Sequence, residues 1–156
     1  MFPDRRGFRE GREQEVCSVR AWSPATADDA GRVVALWATD AGLTSSPFDE
    51  KTVVRLIERD PEALIVADDA DEIVATVICG WDGWRAHLYR VAVASGHRRQ
   101  GLGRLLLEAA AERVRSLGAR RLDAMVGEEN TTGIAFWKAM GFERSVPEDG
   151  RWSRSL

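Results

Sequence analysis

The 156-residue sequence predicts one domain of mixed α/β class: a central mixed, mostly antiparallel sheet in the order β-α-α-β-β-β-α-β-α-β-β. Three observations carry this. A chain of about 150 residues buries roughly 68–70% of the surface its unfolded state exposes, enough for a single core. Helical spacing of apolar residues alternates with short extended runs. Turn signals separate the early strands and a helix separates the later ones, so antiparallel hairpins come first and a β-α-β crossover follows.

Taken in order, residues 1–15 set Arg5, Arg6, Arg9 and Arg12 against Asp4, Glu10, Glu13 and Glu15 with almost no apolar periodicity, which reads as a disordered or loosely attached extension. The domain proper occupies 16–156. Val16 to Ala21 reads as a short strand. Thr26 offers an N-cap, Asp28 and Asp29 suit the first turn, and Val33, Val34, Leu36 and Trp37 line a helix that Gly42 ends. After a loop from Gly42 to Asp49, a second short helix holds Val53, Val54, Leu56 and Ile57 before Pro61.

Three strands follow. Ala63 to Ala67 is apolar, Asp68 to Asp71 turns, and Ile73 to Cys79 returns. Asp82-Gly83 between Trp81 and Trp84 signals a hairpin, with a type I′ turn expected. The strand Ala86 to Ala94 runs into a basic, glycine-bearing loop. A long helix then buries Leu102, Leu106, Ala109, Ala110, Val114 and Leu117, and Gly118 supplies its C′ position. Arg121 to Val126 forms another strand, Asn130-Thr131-Thr132 caps a helix carrying Ile134, Phe136, Trp137 and Met140, and Gly141-Phe142 turns into the last strands, one of which holds Trp152.

Composition excludes several functions. With 22 Lys+Arg against 25 Asp+Glu the net charge is -3, unlike a protein that neutralises nucleic-acid phosphates. Cys17 and Cys79 form no C-x-x-C pair, and with His87 and His97 they give no metal-ligand spacing; both read as small buried hydrophobes. No apolar run reaches membrane-spanning length and no signal-peptide core is present, so a cytosolic protein without membrane or nucleic-acid partners is expected. One imbalance stands out: six tryptophans accompany a single tyrosine, Tyr89.

The strand, basic glycine loop and helix make a ready anion site. Amides at a helix start point outward, the helix dipole favours negative charge, and Gly101 and Gly103 let a phosphate approach. Gly103 is followed by Arg104 and Leu105, so the Lys-Ser/Thr of a P-loop is missing. Leu106 stands where a dinucleotide fingerprint needs its third glycine. A pyrophosphate held by backbone amides, near Arg98, Arg99 and Arg104, remains; so does a plain tight turn with solvated arginines.

Arg98-Arg99-Gln100-Gly101-Leu102-Gly103, directly after Tyr89-Arg90-Val91-Ala92-Val93, resembles the R/Q-x-x-G-x-G/A signature of the GNAT superfamily of N-acetyltransferases. Asn130, followed by Ala135-Phe136-Trp137-Lys138-Ala139-Met140-Gly141-Phe142, is similar to its second signature. The resemblance covers roughly Val16 to Trp152. It implies a GNAT-like fold, acetyl-coenzyme A (acetyl-CoA) as co-substrate and no metal. It further implies that the backbone of Val91, Ala92 and Val93, at a bulge, pairs with the pantetheine arm. Amides from Arg98 through Gln100, Gly101, Leu102 and Gly103 to Arg104 would cradle the pyrophosphate, and Asn130 would bond the pantetheine side. The fourth and fifth strands would splay to admit the cofactor.

Acetyl transfer to an amine needs a base, an oxyanion donor and a leaving thiolate. A backbone N–H of Val91 or Val93 is the donor this resemblance implies. Strict alternation places His87, Tyr89, Val91 and Val93 on one face. His87, where several relatives carry a carboxylate, is the candidate base; it also reads as a half-buried polar residue after the hairpin. Relatives that acetylate protein N-termini often carry Glu where this chain has Met125. Trp137 occupies the position of the family's usual Tyr acid and is counted with the cofactor-binding residues that the resemblance implies, but an indole cannot release a proton to a thiolate. Tyr89 is the one phenol left as acid or substrate ligand. The acceptor site is expected from the loop 42–48, the first two helices and the Trp81–Trp84 hairpin, with Asp40, Asp49 and Glu50 able to attract an amine. The expected acceptor is a primary amine on a small molecule or peptide. The alternative is an acyl-CoA-binding sensor or interaction domain without catalysis, and dimerisation stays open.

Overall fold

The computed structural model describes residues 22–39, 48–145 and 151–156. The strand expected at Val16–Ala21, Cys17, Asp40 and the residues 1–15 lie outside the described residues.

The chain opens with β1 (Trp22–Pro24), a single 3₁₀ turn (Ala27–Asp29), α1 (Ala30–Ala38) and α2 (Glu50–Arg59). β2 (Leu64–Asp69), β3 (Glu72–Trp81) and β4 (Ala86–Val93) follow, then α3 (Leu102–Ser116), β5 (Arg121–Met125), α4 (Thr131–Ala139), β6 (Glu143–Arg144) and β7 (Arg151–Ser155). The seven strands form one sheet in the order β1-β2-β3-β4-β5-β7-β6, antiparallel throughout except for the parallel pair β4–β5. This is the mixed, mostly antiparallel sheet expected, and the parallel pair is the one joined through α3.

Local chemistry accounts for the helix starts. Thr26 N–H and Oγ1 both donate to Asp29 Oδ2, at 2.7 and 3.1 Å, so Asp29 closes the turn before α1. Asp49 Oδ1 accepts from Thr52 N–H at 2.7 Å and caps α2. β1 was not foreseen and carries Pro24. At the described edge of the sheet, next to β2 alone, its missing N–H costs no interior ladder bond.

The β3–β4 hairpin forms, but not through a type I′ turn. Among its loop residues only Gly83 has positive φ (91°), and the Asp82 carboxylate organises the turn by accepting from Trp84 N–H (2.8 Å) and Arg85 N–H (2.6 Å).

Two apolar layers clamp the sheet. On one face α1 and α2 bury Val33, Leu36, Trp37, Val53 and Ile57 against Leu64, Val66, Ile73 and Ala92. On the other, α3 and α4 bury Leu102, Leu106, Ala110, Val114, Trp137 and Met140 against Ala75, Val77, Cys79, Leu88 and Leu122. Leu117, expected on the buried stripe, is half-exposed, because α3 ends at Ser116 and Gly118 (φ 99°) turns the chain away. Leu107, Ala111 and Arg113 are buried instead. Arg113, 6% exposed, donates to the Cys79 carbonyl (2.8 Å) and to both Asp60 oxygens (2.6 and 2.7 Å), tying α3 to β3 and to the end of α2.

Candidate active site

The site grows from one irregularity in β4. Thr76 pairs with Ala92 while Ile78 pairs with Tyr89, so Arg90 and Val91 together face the single residue Val77. Arg90 adopts φ 50°, the left-handed region, which gives this β-bulge its kink. A buried relay holds it: Trp37 Nε1–H donates to Thr76 Oγ1 at 2.9 Å, and the Thr76 hydroxyl donates to the Arg90 carbonyl at 2.9 Å. Thr76 is fully buried, so α1 and β3 are joined away from water and the bulge is tied to both.

The bulge corrects the alternation expected along β4. His87 and Tyr89 stay on one face, with ring centroids 6.0 Å apart, whereas Val91 and Val93 pack on the α3 side and Ala92 packs on the α1 side. The extra residue shifts the phase by one, which flips every later side chain.

At the same end of the sheet β4 and β5 separate. Their parallel pairing runs through Ala86–Leu122, His87–Asp123 and Leu88–Ala124, while β4 continues to Val93. α3 starts at this open end. Its N-cap, Gly101, has φ 82°, which a side chain resists, and Leu105 N–H already reaches the Gly101 carbonyl at 2.9 Å. The first amides of a helix lack intrahelical acceptors, so those following Gly101 suit an anion. Before them Arg98 Nε donates to the Val93 carbonyl (3.1 Å), Gln100 Nε2 to the Gly96 carbonyl (3.3 Å), and His97 Nε2 meets Asp69 Oδ2 at 2.8 Å. Arg99 (φ 63°) and Arg104 are exposed, and Leu102 is buried, leaving its backbone for the loop.

Gly103 serves differently than expected. A Cβ there would lie 3.1 Å from Phe136 Cε2 and 3.3 Å from Cζ, so its bare backbone admits the α4 ring as well as leaving room at the loop.

Asn130 and Trp137 divide in the same way between site and packing. Asn130 Oδ1 caps α4 by accepting from Gly133 N–H at 2.8 Å. Trp137 is 7% exposed and packs edge-on against Phe136 and Phe142 at 5.3 and 4.8 Å, inside the core.

Tyr89 is 49% exposed beside His87; partial burial and then the Asp82 charge raise its pKa, so the phenol keeps its proton at neutral pH. Trp81 packs toward the α3-side core and Trp84 projects from the hairpin, so they form no common wall. Asp49, expected to attract an amine, is exposed and also caps α2, and its Thr52 hydrogen bonds hold its carboxyl below the usual range. Sequence reasoning missed Thr76, Trp37 and Arg90 as bulge residues and missed buried Asp123 beside His87. Nothing local marks them, since each acts across strands. Among the described residues no helix is long and apolar enough to cross a membrane, and no cluster of three or more potential metal ligands occurs.

The profile of the acetyltransferase (GNAT) family matches residues 30–142. An acetyltransferase of Sodalis glossinidius is 26% identical over 116 residues, covering 74% of this chain and 82% of the relative. Among solved structures, the PaiA N-acetyltransferase of Thermoplasma acidophilum in complex with coenzyme A superposes with a TM-score of 0.75 at 15% identity, covering 87% of this chain and 98% of its own. YncA from Salmonella typhimurium, solved with its cofactor acetyl-CoA, gives a TM-score of 0.72 at 17% identity, covering 87% and 93%. A bulged strand beside a splayed parallel pair, a glycine-capped helix at the opening and a matching profile over most of the chain lead to one assignment: the chain belongs to the GNAT family of acetyltransferases.

Proposed function

We propose that the chain moves the acetyl group of acetyl-CoA to a primary amine of a small molecule or peptide by direct attack on the thioester. The observation that carries this is the meeting of three features at one end of the sheet: the Arg90–Val91 bulge, the gap beyond Leu88 and Ala124, and the start of α3. Beyond Leu88 the edge of β4 that faces β5 is unpaired, so the backbone of Val91, Ala92 and Val93 can pair there with the pantetheine arm and offer an N–H to the developing oxyanion. The amides from Arg98 to Arg104 then hold the pyrophosphate, and the Asn130 amide nitrogen bonds the pantetheine. Acetyl-CoA supplies the activated acetyl group and a thiolate leaving group.

With the cofactor loop on the α3 side, the amine approaches from the α1–α2 side, where His87 and Tyr89 lie. His87 takes the ammonium proton, directly or through water, and Tyr89 is a ligand on the acceptor side. Trp137 stands in the core and supplies no acid; the thiolate leaves with little help at neutral pH.

That core position also favours a second reading, an acyl-CoA sensor without turnover. The deciding experiment measures thiol release from acetyl-CoA over amino acids, polyamines, aminoglycosides and peptides, with His87→Ala alongside. An acceptor that raises the rate, and loses that effect in His87→Ala, supports the transferase. Tight acetyl-CoA binding with no acceptor effect supports the sensor.

A further inference from the structure

We propose that His97 is a positioning residue for the cofactor: through its hydrogen bond to Asp69 it fixes the loop that receives the pyrophosphate. This rests on the proposed role of the amides from Arg98 to Arg104 and says what holds them in place.

The loop needs holding. It leaves β4 through a 3₁₀ turn, Ser95–His97, and runs extended through Arg98. Arg99 follows at φ 63°, a left-handed conformation that a residue with a side chain keeps only where its surroundings impose it. Gly101, at φ 82°, adds the conformational freedom of a glycine. Amides bind an anion best when they are already aimed, because ordering them at the moment of binding subtracts from affinity.

Some of the bonds in the loop are local. His97 N–H donates to the Ala94 carbonyl at 2.8 Å, and Gln100 Nε2 donates to the Gly96 carbonyl at 3.3 Å. Arg98 Nε donates to the Val93 carbonyl, back to the end of β4 itself. These set the curvature of the loop. The His97 side chain sets its place against the rest of the sheet, because Nε2 meets Asp69 Oδ2 at 2.8 Å across a sequence separation of 28. A carboxylate only accepts, so Nε2 carries the hydrogen and donates to it, which makes the bond charge-assisted. It falls one residue before Arg98, where the pyrophosphate amides begin.

The anchor is fixed in turn. Asp69 ends β2 and pairs with Glu72 across the tight turn Ala70–Asp71, and Arg32 Nη1 of α1 donates to the Asp71 carbonyl at 2.9 Å. Since β3 lies between β2 and β4, the bond ties the loop to a strand beyond the neighbour of β4. The two side chains are 24% and 22% exposed, so water replaces the bond only in part.

The test measures binding of acetyl-CoA, and of S-acetylpantetheine, which lacks the pyrophosphate, by calorimetry. Both ligands are titrated into the same preparation of each variant, the second up to millimolar concentration, so partial unfolding cancels from the comparison. His97→Ala should weaken acetyl-CoA by roughly 10-fold, the worth of one charge-assisted hydrogen bond, and leave S-acetylpantetheine unchanged. His97→Gln, whose amide can still donate to Asp69, should keep most of the affinity. Asp69 is also engaged elsewhere, so a double-mutant cycle isolates the pair: in an Asp69→Ala background, His97→Ala should cost acetyl-CoA affinity little more. Unchanged acetyl-CoA affinity in His97→Ala, equal losses for both ligands, or fully additive losses in the cycle would overturn the role of His97 while leaving acetyl-CoA binding intact. A wild type that binds no acetyl-CoA would overturn the cofactor reading first, and this inference with it.

Discussion

Thr76→Val isolates the relay that holds the bulge. Valine matches threonine in shape, so the fully buried site is neither emptied nor crowded, and only the hydroxyl is lost. Two partners are then stranded: Trp37 Nε1–H loses its acceptor and the Arg90 carbonyl loses its donor. An orphaned buried group costs about 1–3 kcal/mol. Arg90 is only partly buried, so water relieves some of its share, and the total should be about 2–4 kcal/mol. At this chain length each kcal/mol lowers Tm by about 2–4 °C, so a drop of roughly 5–15 °C is expected. Denaturant titration should show a lower midpoint at unchanged slope. Because the relay fixes the carbonyl of a residue in the left-handed region, thiol release should also fall more than about tenfold, the cost of misplacing an oxyanion donor. Thr76→Ser keeps the hydroxyl and should keep most of the rate. Equal stability and rate in Thr76→Val, or a serine variant as impaired as the valine, would refute the relay.

The other expectations concern packing and titration. Gly103→Ala should cost about 1–2 kcal/mol by pressing a Cβ onto Phe136, and Phe136→Leu should recover most of it; Gly101→Ala should cost about 1–2 kcal/mol through its φ of 82° with no such rescue. Both are read by thermal melts with acetyl-CoA titration. Arg113→Met should destabilise by about 3 kcal/mol by stranding Asp60 and the Cys79 carbonyl, and adding Asp60→Leu should return part of that loss in urea titrations. Burial pushes the Cys79 thiol up to about 12, against the pull of Arg113. Between about pH 9 and 12 the unfolded thiol has therefore lost its proton while the folded one keeps it. Stability should fall with rising pH in that window, by up to about 1.4 kcal/mol per unit, and be flat with respect to this group below it. Cys79→Ala should flatten the high-pH limb; an unchanged limb assigns it to other groups.

How far the residues alone reached can be judged position by position. The strand-glycine-helix run through Arg98 and Gly103 was legible because its signal is local: a strand, a basic glycine-bearing loop and a helix start follow one another within a few residues. The Asn130 cap was legible for the same reason, as was the hairpin at Gly83, although its turn type was not: the Asp82 side chain, rather than two positive φ angles, closes it. His87 and Tyr89 share a face as alternation requires, but the bulge sends Val91 and Val93 to the other side. A bulge is a count of two residues against one on a neighbouring strand, and no single strand records its partner.

What the sequence by itself determined is the class of fold, the order of its elements and the glycine-bearing loop that leads into α3, because periodicity, caps and glycines act over a few residues. Only the tertiary structure decided that Trp137 is a core residue, that Gly103 faces Phe136 and that Arg90 is gripped through Trp37 and Thr76. Those outcomes depend on hydrogen bonds and ring contacts between segments far apart in the chain, such as Trp37 and Thr76, and these exist only once the sheet has brought them together.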